Sequence, residues 1–287
     1  MPIEKPSKAK ITRAFNDAVL AKQDYMVTQA NDLAKSFGNL NALAHKLLDY
    51  CIAHVQPHDK PSQEYKLDIK ELIAFLGFNK SGKNYQNIIN AFTQLNARTA
   101  VILPSYDKQG EVESVTLTSL FDFIKIEKNG IITYAFHRFV APYIFELRKN
   151  FYSFRLLELS RVKSKYTLSF LKLWNANSLG KWSDATKPNQ LPPSLHLEAS
   201  LDDWKTWLLG IGEDGKVKDW SAGRFKQKAL MVALEEISTL YPTSRIVVTP
   251  MKNGRRITGF IVDIQMFHTN IELNHGLLDE AKRQYRI

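Results

Sequence analysis

The sequence predicts an α+β protein in which one architectural plan is used twice. Three observations carry that expectation. Each half of the chain holds two amphipathic helical stretches separated by a polar turn. Each such pair is followed by runs rich in β-branched and aromatic residues. Asn129-Gly130 splits those runs in the first half and Asn253-Gly254 in the second, and Asn-Gly between such runs signals a tight hairpin.

In the first half, "NLNALAHKLLDYCIAHV" supplies a leading helix. In "LDIKELIAFLGF", Ile69, Leu72, Ile73 and Leu76 recur at helical spacing. Asp68 can cap that helix, Glu71 stands at the capping-box position, and Gly77 fits the left-handed residue that ends it. The segment from Tyr85 repeats the logic, with Tyr85, Ile88, Ile89, Phe92 and Leu95 on one face and Gln86, Asn87, Asn90 and Gln94 off it. Between the two lies "GFNKSGKN", where Gly77, Gly82 and Lys83 match the phosphate-loop pattern G-x-x-x-x-G-K-[ST]. The last position needs a hydroxyl for Mg²⁺ and holds Asn84, and no strand leads into the loop. It reads as a turn between two helices. "TAVILP" and "SVTLTSLFDFIKIEKNGIITYAFH" then supply the hairpin.

The second half follows the same order. "LLELSRVKSKYTLSFLKLWNAN" is its leading helix, and "WSDATKPNQLPPS" a loop within the plan. "ASLDDWKTWLLGI" has Ser200 as cap, Asp203 at the capping-box position and Gly210 as terminator. The loop "GEDGKVKDW" leads to the helix "SAGRFKQKALMVALEEISTL", and "RIVVTPMKNGRRITGFIVDI" forms the closing hairpin. Helix-turn-helix followed by a hairpin is the plan of a winged helix, a nucleic-acid-binding module. The expected organisation is a basic N-terminal segment over 1–24, winged-helix domains over 25–149 and 150–270, and a tail over 271–287. Leu33, Leu40 and Leu47 recur every seven residues, but three positions interrupted by Gly38-Asn39 predict core packing rather than a coiled coil.

The chain has 287 residues and a formal net charge of +10, which points to a polyanionic partner. The surplus is uneven: residues 1–143 hold 17 Lys/Arg against 14 Asp/Glu, and residues 144–287 hold 22 against 15. Cys51 is the single cysteine, which fits a reducing cytoplasm rather than a disulfide framework. No run approaches the ~20 apolar residues of a membrane span, and the N-terminus lacks the apolar core of a secretory signal. A soluble cytoplasmic protein is expected.

The sharpest clue is the helix expected over 221–240. At 100° per residue, Phe225, Ala229, Ala233, Ile237 and Leu240 share one side, and Arg224, Gln227, Lys228, Met231 and Glu235 the other. Arg224, Lys226 and Lys228 come early and Glu235 and Glu236 late, against the helix dipole by roughly 0.3–1 kcal/mol per charge. A phosphate docked at the helix start would reverse that balance. A solvated charged face is the alternative. Lys252, Arg255 and Arg256 crowd the following hairpin tip, where a wing meets phosphates or a minor groove. Arg148, Lys149, Arg155, Arg161, Lys163 and Lys165 form a third basic group around the joint near Lys149-Asn150. The candidate DNA contacts are Arg224, Lys226, Gln227, Lys228, Lys252, Arg255, Arg256, Arg161, Lys163, Lys165 and, in the first half, Lys83.

Catalysis finds no constellation. DNA-nicking initiators hold a metal with a His-hydrophobic-His pair, and the closest approach here, His54 and His58 in "HVQPH", is broken by Pro57. Asp202 and Asp203 are adjacent, so on a helix they diverge by about 100°. A non-enzyme without metal or cofactor is expected.

The twin plan, with "NDLAKS", "LRKNFYSFRLLELSRVKSKYTLSFLKLWN" and "GRFKQKALMVALEEI", resembles the initiator Rep proteins of iteron-type, theta-replicating plasmids. The resemblance spans roughly residues 25 to 265 and lies in order and spacing more than identity. It implies two winged helices, the second reading direct repeats in the major groove and the first giving backbone contacts and a dimer interface. It implies double-stranded DNA partners at the origin repeats and the protein's own operator, AT-rich single-stranded DNA, host helicase and initiator proteins, and a monomer–homodimer equilibrium. Monomers would open the origin and recruit the replisome; dimers would repress the protein's own gene. "GRFKQK" matches the aromatic-plus-basic start of the family's reading helix, and puts Arg224, Lys226, Gln227 and Lys228 against bases or phosphates. The family's run after the aromatic is often more basic, so Gln227 implies a different base preference. A winged-helix repressor with no origin-opening role is the alternative, and a nicking enzyme a distant third.

Overall fold

The computed structural model describes residues 39–56, 58–110, 112–141, 143–144, 156–178, 191–211 and 216–268. The expected N-terminal segment and C-terminal tail, the joint at 149–150, Leu33, and the basic residues Arg148, Lys149 and Arg155 lie outside the described residues.

The first half opens with helix α1 (Ala42–Ala53), whose N-cap Asn41 accepts the Ala44 N–H at 2.9 Å. Strand β1 (Glu64–Asp68) runs straight into α2 (Ile69–Phe75), with Asp68 serving as both strand end and N-cap. Gly77, at φ 68°, ends α2: its N–H bonds Ala74 O and the Phe78 N–H bonds Ile73 O. That reciprocal pair needs a left-handed residue, so glycine stands there. Ser81 caps α3 (Gly82–Arg98), so "GFNKSGKN" is the turn expected between two helices. Strands β2 (Ala100–Tyr106) and β3 (Val112–Ser119) form a two-stranded sheet, and β4 (Phe121–Ile126) and β5 (Ile131–Phe136) flank Asn129-Gly130. The sheet order β1-β5-β4 is antiparallel throughout.

Two expectations need correction here. The β-rich run before Asn129 is two strands in different sheets, broken at Leu120, whose N–H turns to Thr99 O. The plan also lacks β1, because a five-residue strand flowing into a helix without punctuation carries too little alternation to be distinguished.

The second half follows the same helix, strand, helix, helix and hairpin order, with its leading helix broken and, among the described residues, no counterpart of the β2–β3 sheet. Its leading stretch is two helices, α4 (Leu156–Arg161) and α5 (Lys165–Asn177), separated where Ser164 caps the Tyr166 N–H at 3.1 Å. Strand β6 (Leu195–Ser200), also absent from the sequence reading, feeds α6 (Leu201–Leu209) through the cap Ser200. The expected 221–240 helix is α7 (Ala222–Phe225), a π-turn (Lys226–Leu230) and α8 (Met231–Leu240) in one continuous run. Strands β7 (Ser244–Asn253) and β8 (Arg256–Met266) close the sheet in the order β6-β8-β7. Gly259 on β8 is packed so tightly that a Cβ would collide with Ala199 O of β6 and come within 2.9 Å of the Met251 Sδ.

Each half has its own apolar cluster. In the first, Phe121 stacks on Phe136 and meets Tyr134 edge-on, and the Tyr134 hydroxyl donates to Cys51 O at 2.7 Å. Burial pushes the Cys51 thiol well above its usual range. Leu40 and Leu47 are wholly buried there, as core packing requires. In the second, Trp204 stacks on Phe170 and donates its indole N–H to Phe260 O at 2.8 Å. Burying these aromatic bodies while bonding their polar tips is what makes them stable core residues.

The halves meet where α1 packs on α4 and α5. At that contact Lys172 Nζ lies 2.8 Å from Asp49 Oδ1 and 3.3 Å from His45 Nδ1, all within the interior. Burial raises the Asp49 carboxyl and lowers the Lys172 ammonium, each partly offset by the other's charge. Desolvation dominates both groups, so the pair specifies the joint more than it stabilises it. Asp49→Ala, which strands the Lys172 charge, should cost about 3–5 kcal/mol, whereas the double Asp49→Leu/Lys172→Met should sit near wild type; urea melts of the three chains check this. Gly259→Val should cost about 1–3 kcal/mol by forcing β6 from β8, read as a lowered melting temperature.

Candidate nucleic-acid interface

The 222–240 helix begins with Ser221, whose Oγ accepts the Arg224 N–H at 3.3 Å. Its buried side is Phe225, Ala229, Leu230, Ala233, Leu234 and Ile237. Phe225 seats the helix start on β8 through the Phe260 ring, 6.1 Å away. That anchoring leaves Arg224, Gln227, Lys228 and Glu235 exposed, as expected, while Lys226 and Met231 are half-buried. The Arg224 guanidinium lies over the Trp220 ring at 4.7 Å, which restrains it before any partner arrives. No acidic residue occupies the first turn, so the positive end of the helix is unopposed.

The β7–β8 tip presents Lys252, Arg255 and Arg256, all exposed. A bulge between Met251 and Lys252 offsets the register there, sharpening the ribbon's twist at its basic end.

Three members of the joint group, Arg161, Lys163 and Lys165, are among the described residues. Arg161 and Lys163 are exposed and Lys165 is half-buried. The Lys163 and Ser164 N–H groups donate to the two Glu236 carboxylate oxygens at 2.6 and 3.1 Å, which ties this turn to α8. Burial, with the nearby Lys218 charge, pulls the Lys165 ammonium down to about 8 from an ordinary 10.5. Lys83 is exposed at the start of α3, in the first half.

Sequence reasoning missed Trp220 and Lys218, and for Glu236, noted as a late acid, it missed the partners. Trp220 had a signal, since it precedes Arg224 by four residues. Lys218 and Glu236 act across more than fifty residues of chain and had none. The Asp202 and Asp203 carboxylates do different work: Asp203 accepts from the Ser200 hydroxyl at 2.6 Å, and Asp202 lies 3.8 Å from Lys205.

Residues 26–175, just over half the chain, match the family model described as initiator replication protein, WH1. The chain belongs to that family. Among solved structures, this initiator-family chain is similar to the Pi initiator protein in complex with iteron DNA, at 19% identity and a TM-score of 0.60, over 83% of this chain and 96% of that one. At that identity the likeness establishes the fold. Two structures of RctB domains 2 and 3 align at 12% and 11% identity with TM-scores of 0.40 and 0.34. They cover 82% and 84% of this chain and 82% and 83% of theirs. No curated relative matches the sequence. Among the described residues, no helix is long and apolar enough to cross a membrane.

Because Lys165 has a folded value near 8 and an unfolded value near 10.5, the unfolded chain binds more protons between those limits. This group therefore opposes folding fully below pH 8, and its penalty fades as pH rises from about 8 to 10.5. Lys218→Ala should move the Lys165 midpoint upward from about 8, followed by NMR of labelled lysine ε-carbons.

Proposed function

We propose that this protein initiates plasmid replication by binding direct repeats at the origin, without catalysis of its own. The observation that carries the reading is the placement of its basic residues. Arg224, Lys226, Gln227 and Lys228 follow the second half's helix-turn, and Lys252, Arg255 and Arg256 tip the adjoining hairpin. These are the reading helix and wing of a winged helix, in a chain whose fold aligns with an initiator crystallised on iteron DNA. The reading takes the chain as two tandem winged-helix domains, 25–149 and 150–270, acting in the cytoplasm. Arg224, Lys226 and Lys228 suit guanine edges or phosphates and Gln227 suits adenine, with Arg161, Lys163, Lys165 and Lys83 on the backbone.

Dimerisation belongs to the first half. Val115 and Leu117 share one face of the two-stranded β2–β3 sheet and are 52% and 76% exposed. A second copy would cover that face, and the dimer would serve as autorepressor while the monomer opens the origin and recruits the host helicase. Leu117→Glu should shift the chain toward monomer in sedimentation without weakening repeat binding.

The deciding experiment is binding to a duplex from upstream of the protein's own gene, compared with a scrambled duplex at two salt concentrations. Preference for the native duplex with a ladder of bound species supports the reading, and log K should fall with log salt by about 0.9 per phosphate contact. Lys226→Ala/Lys228→Ala should bind more weakly. Equal weak binding to both duplexes ends the reading; tight binding without duplex opening leaves a repressor.

A further inference from the structure

Helix α3 (Gly82–Arg98) stands in the first half where the 222–240 helix stands in the second, after a shorter helix and a turn and before strands. Its inner side is Ile88, Ala91, Phe92 and Leu95, all buried in the first core. At 100° per residue, Gln86, Asn90, Thr93 and Ala97 lie on the opposite side, and all four are exposed. This row is unlike the basic row of the second half. The charged residues of α3 are Lys83 and Arg98, close to its two ends, and no acid occurs along it. A solvated helix surface ordinarily mixes charges of both signs. Asparagine is also a weak helix former, because its side chain competes for the backbone. Yet α3 carries Asn84, Asn87, Asn90 and Asn96.

Two amides beside the row are committed elsewhere. Asn84 Nδ2 donates to Asn79 O and Oδ1 at 3.0 and 2.7 Å, closing the turn before α3. Gln94 Oε1 accepts the Asn41 N–H at 3.1 Å, from the cap of α1. The exposed pair is bound to itself: Gln86 Nε2 donates to Asn90 Oδ1 at 2.9 Å across one helical turn. That bond holds the two amides side by side and leaves Gln86 Oε1 as an acceptor next to Asn90 Nδ2 as a donor. Exchanging both amide orientations leaves the same complement, one acceptor beside one donor. Adenine presents the matching edge in the major groove, an N6 donor beside an N7 acceptor. Further along the row, the Thr93 hydroxyl donates back to Ile89 O at 3.0 Å, so Thr93 and Ala97 both offer methyl groups. Methyl groups suit the thymine C5-methyl.

We propose that α3 is a second base-reading element: the linked Gln86–Asn90 amides take an adenine edge in a major groove, with the Thr93 and Ala97 methyls toward thymine. The proposal rests on the DNA-binding reading and gives the first half a share in sequence preference, beyond backbone contact. The absence of acids along α3 lets this face enter between phosphates without repulsion.

The test replaces adenines of the upstream duplex one at a time by 7-deazaadenine, which keeps base pairing and removes only the N7 acceptor. Full-length wild type, Gln86→Ala/Asn90→Ala and Gln227→Ala are compared, each melted first. The double variant should melt cooperatively at or above the wild-type temperature, because alanine is the better helix former at both positions. At one adenine or more, wild type should lose about tenfold in affinity, within the range of one bidentate base contact. Gln227→Ala should keep that loss, and the double variant should not show it. Wild-type indifference to every replacement overturns the proposal, as does a Gln227→Ala chain that silences every sensitive adenine. A double variant with the wild-type pattern of losses overturns it too, and one that no longer melts cooperatively gives the amides a structural role instead. Equal wild-type affinity for the upstream and scrambled duplexes removes the DNA-binding reading beneath it.

Discussion

The contact on which the rest depends is the buried Asp49–Lys172 pair between α1 and α5. Apolar surfaces can slide over one another at little cost, but a carboxylate and an ammonium withdrawn from water are satisfied in one register only. Helix α5 is enclosed along nearly its whole length, from Thr167 to Asn175. It sends Lys172 toward α1 while Phe170, Leu171 and Trp174 belong to the second core. The two apolar clusters are thereby indexed to each other through a single helix.

From α5 the constraint passes to the basic helix. Glu236 on α8 holds the two amides that precede α5, and Lys46 on α1 donates to Ser160 O just before the same turn. Lys46 is lowered by its burial, with the Glu236 charge partly restoring it. Three helices from both halves therefore converge on residues 160–164. This also accounts for an acid late in a helix whose dipole disfavours it there: Glu236 answers to the positive N-terminus of α5, a neighbour that a helical wheel cannot display.

Much of the fold was legible because its signals are local. The caps Asp68 and Ser200, the terminator Gly77 and the two Asn-Gly tips each act within a few residues, and all stand where the sequence placed them. Much of what escaped was non-local. Strands β1 and β6 are completed by pairing with β5 and β8; both alternate apolar and polar residues, Tyr65 and Leu67 in one and Leu195, Leu197 and Ala199 in the other, but over only five or six residues that run directly into a helix. The break before Ser164 had a local signal in that cap-type serine, but the sequence reading ran one helix through it. The π-turn could not be seen at 100° per residue, because Phe225 and Ala229 share a face in either geometry. The basic residues were readable by type, whereas the Trp220 ring beneath Arg224, and the burial and Lys218 charge that lower Lys165, required the fold.

Cys51, the chain's single thiol, lies in the first core beneath the Tyr134 hydroxyl that binds its own carbonyl. A thiol so enclosed, and held protonated by burial, is chemically silent while that core is closed. It becomes reactive only when α1 parts from the β1-β5-β4 sheet. The protein thus carries an intrinsic clock for one half of its structure: the rate at which a thiol reagent labels Cys51 counts openings of the first core and ignores those of the second. Labelling with and without bound partners would show which events loosen that half, with no foreign probe added.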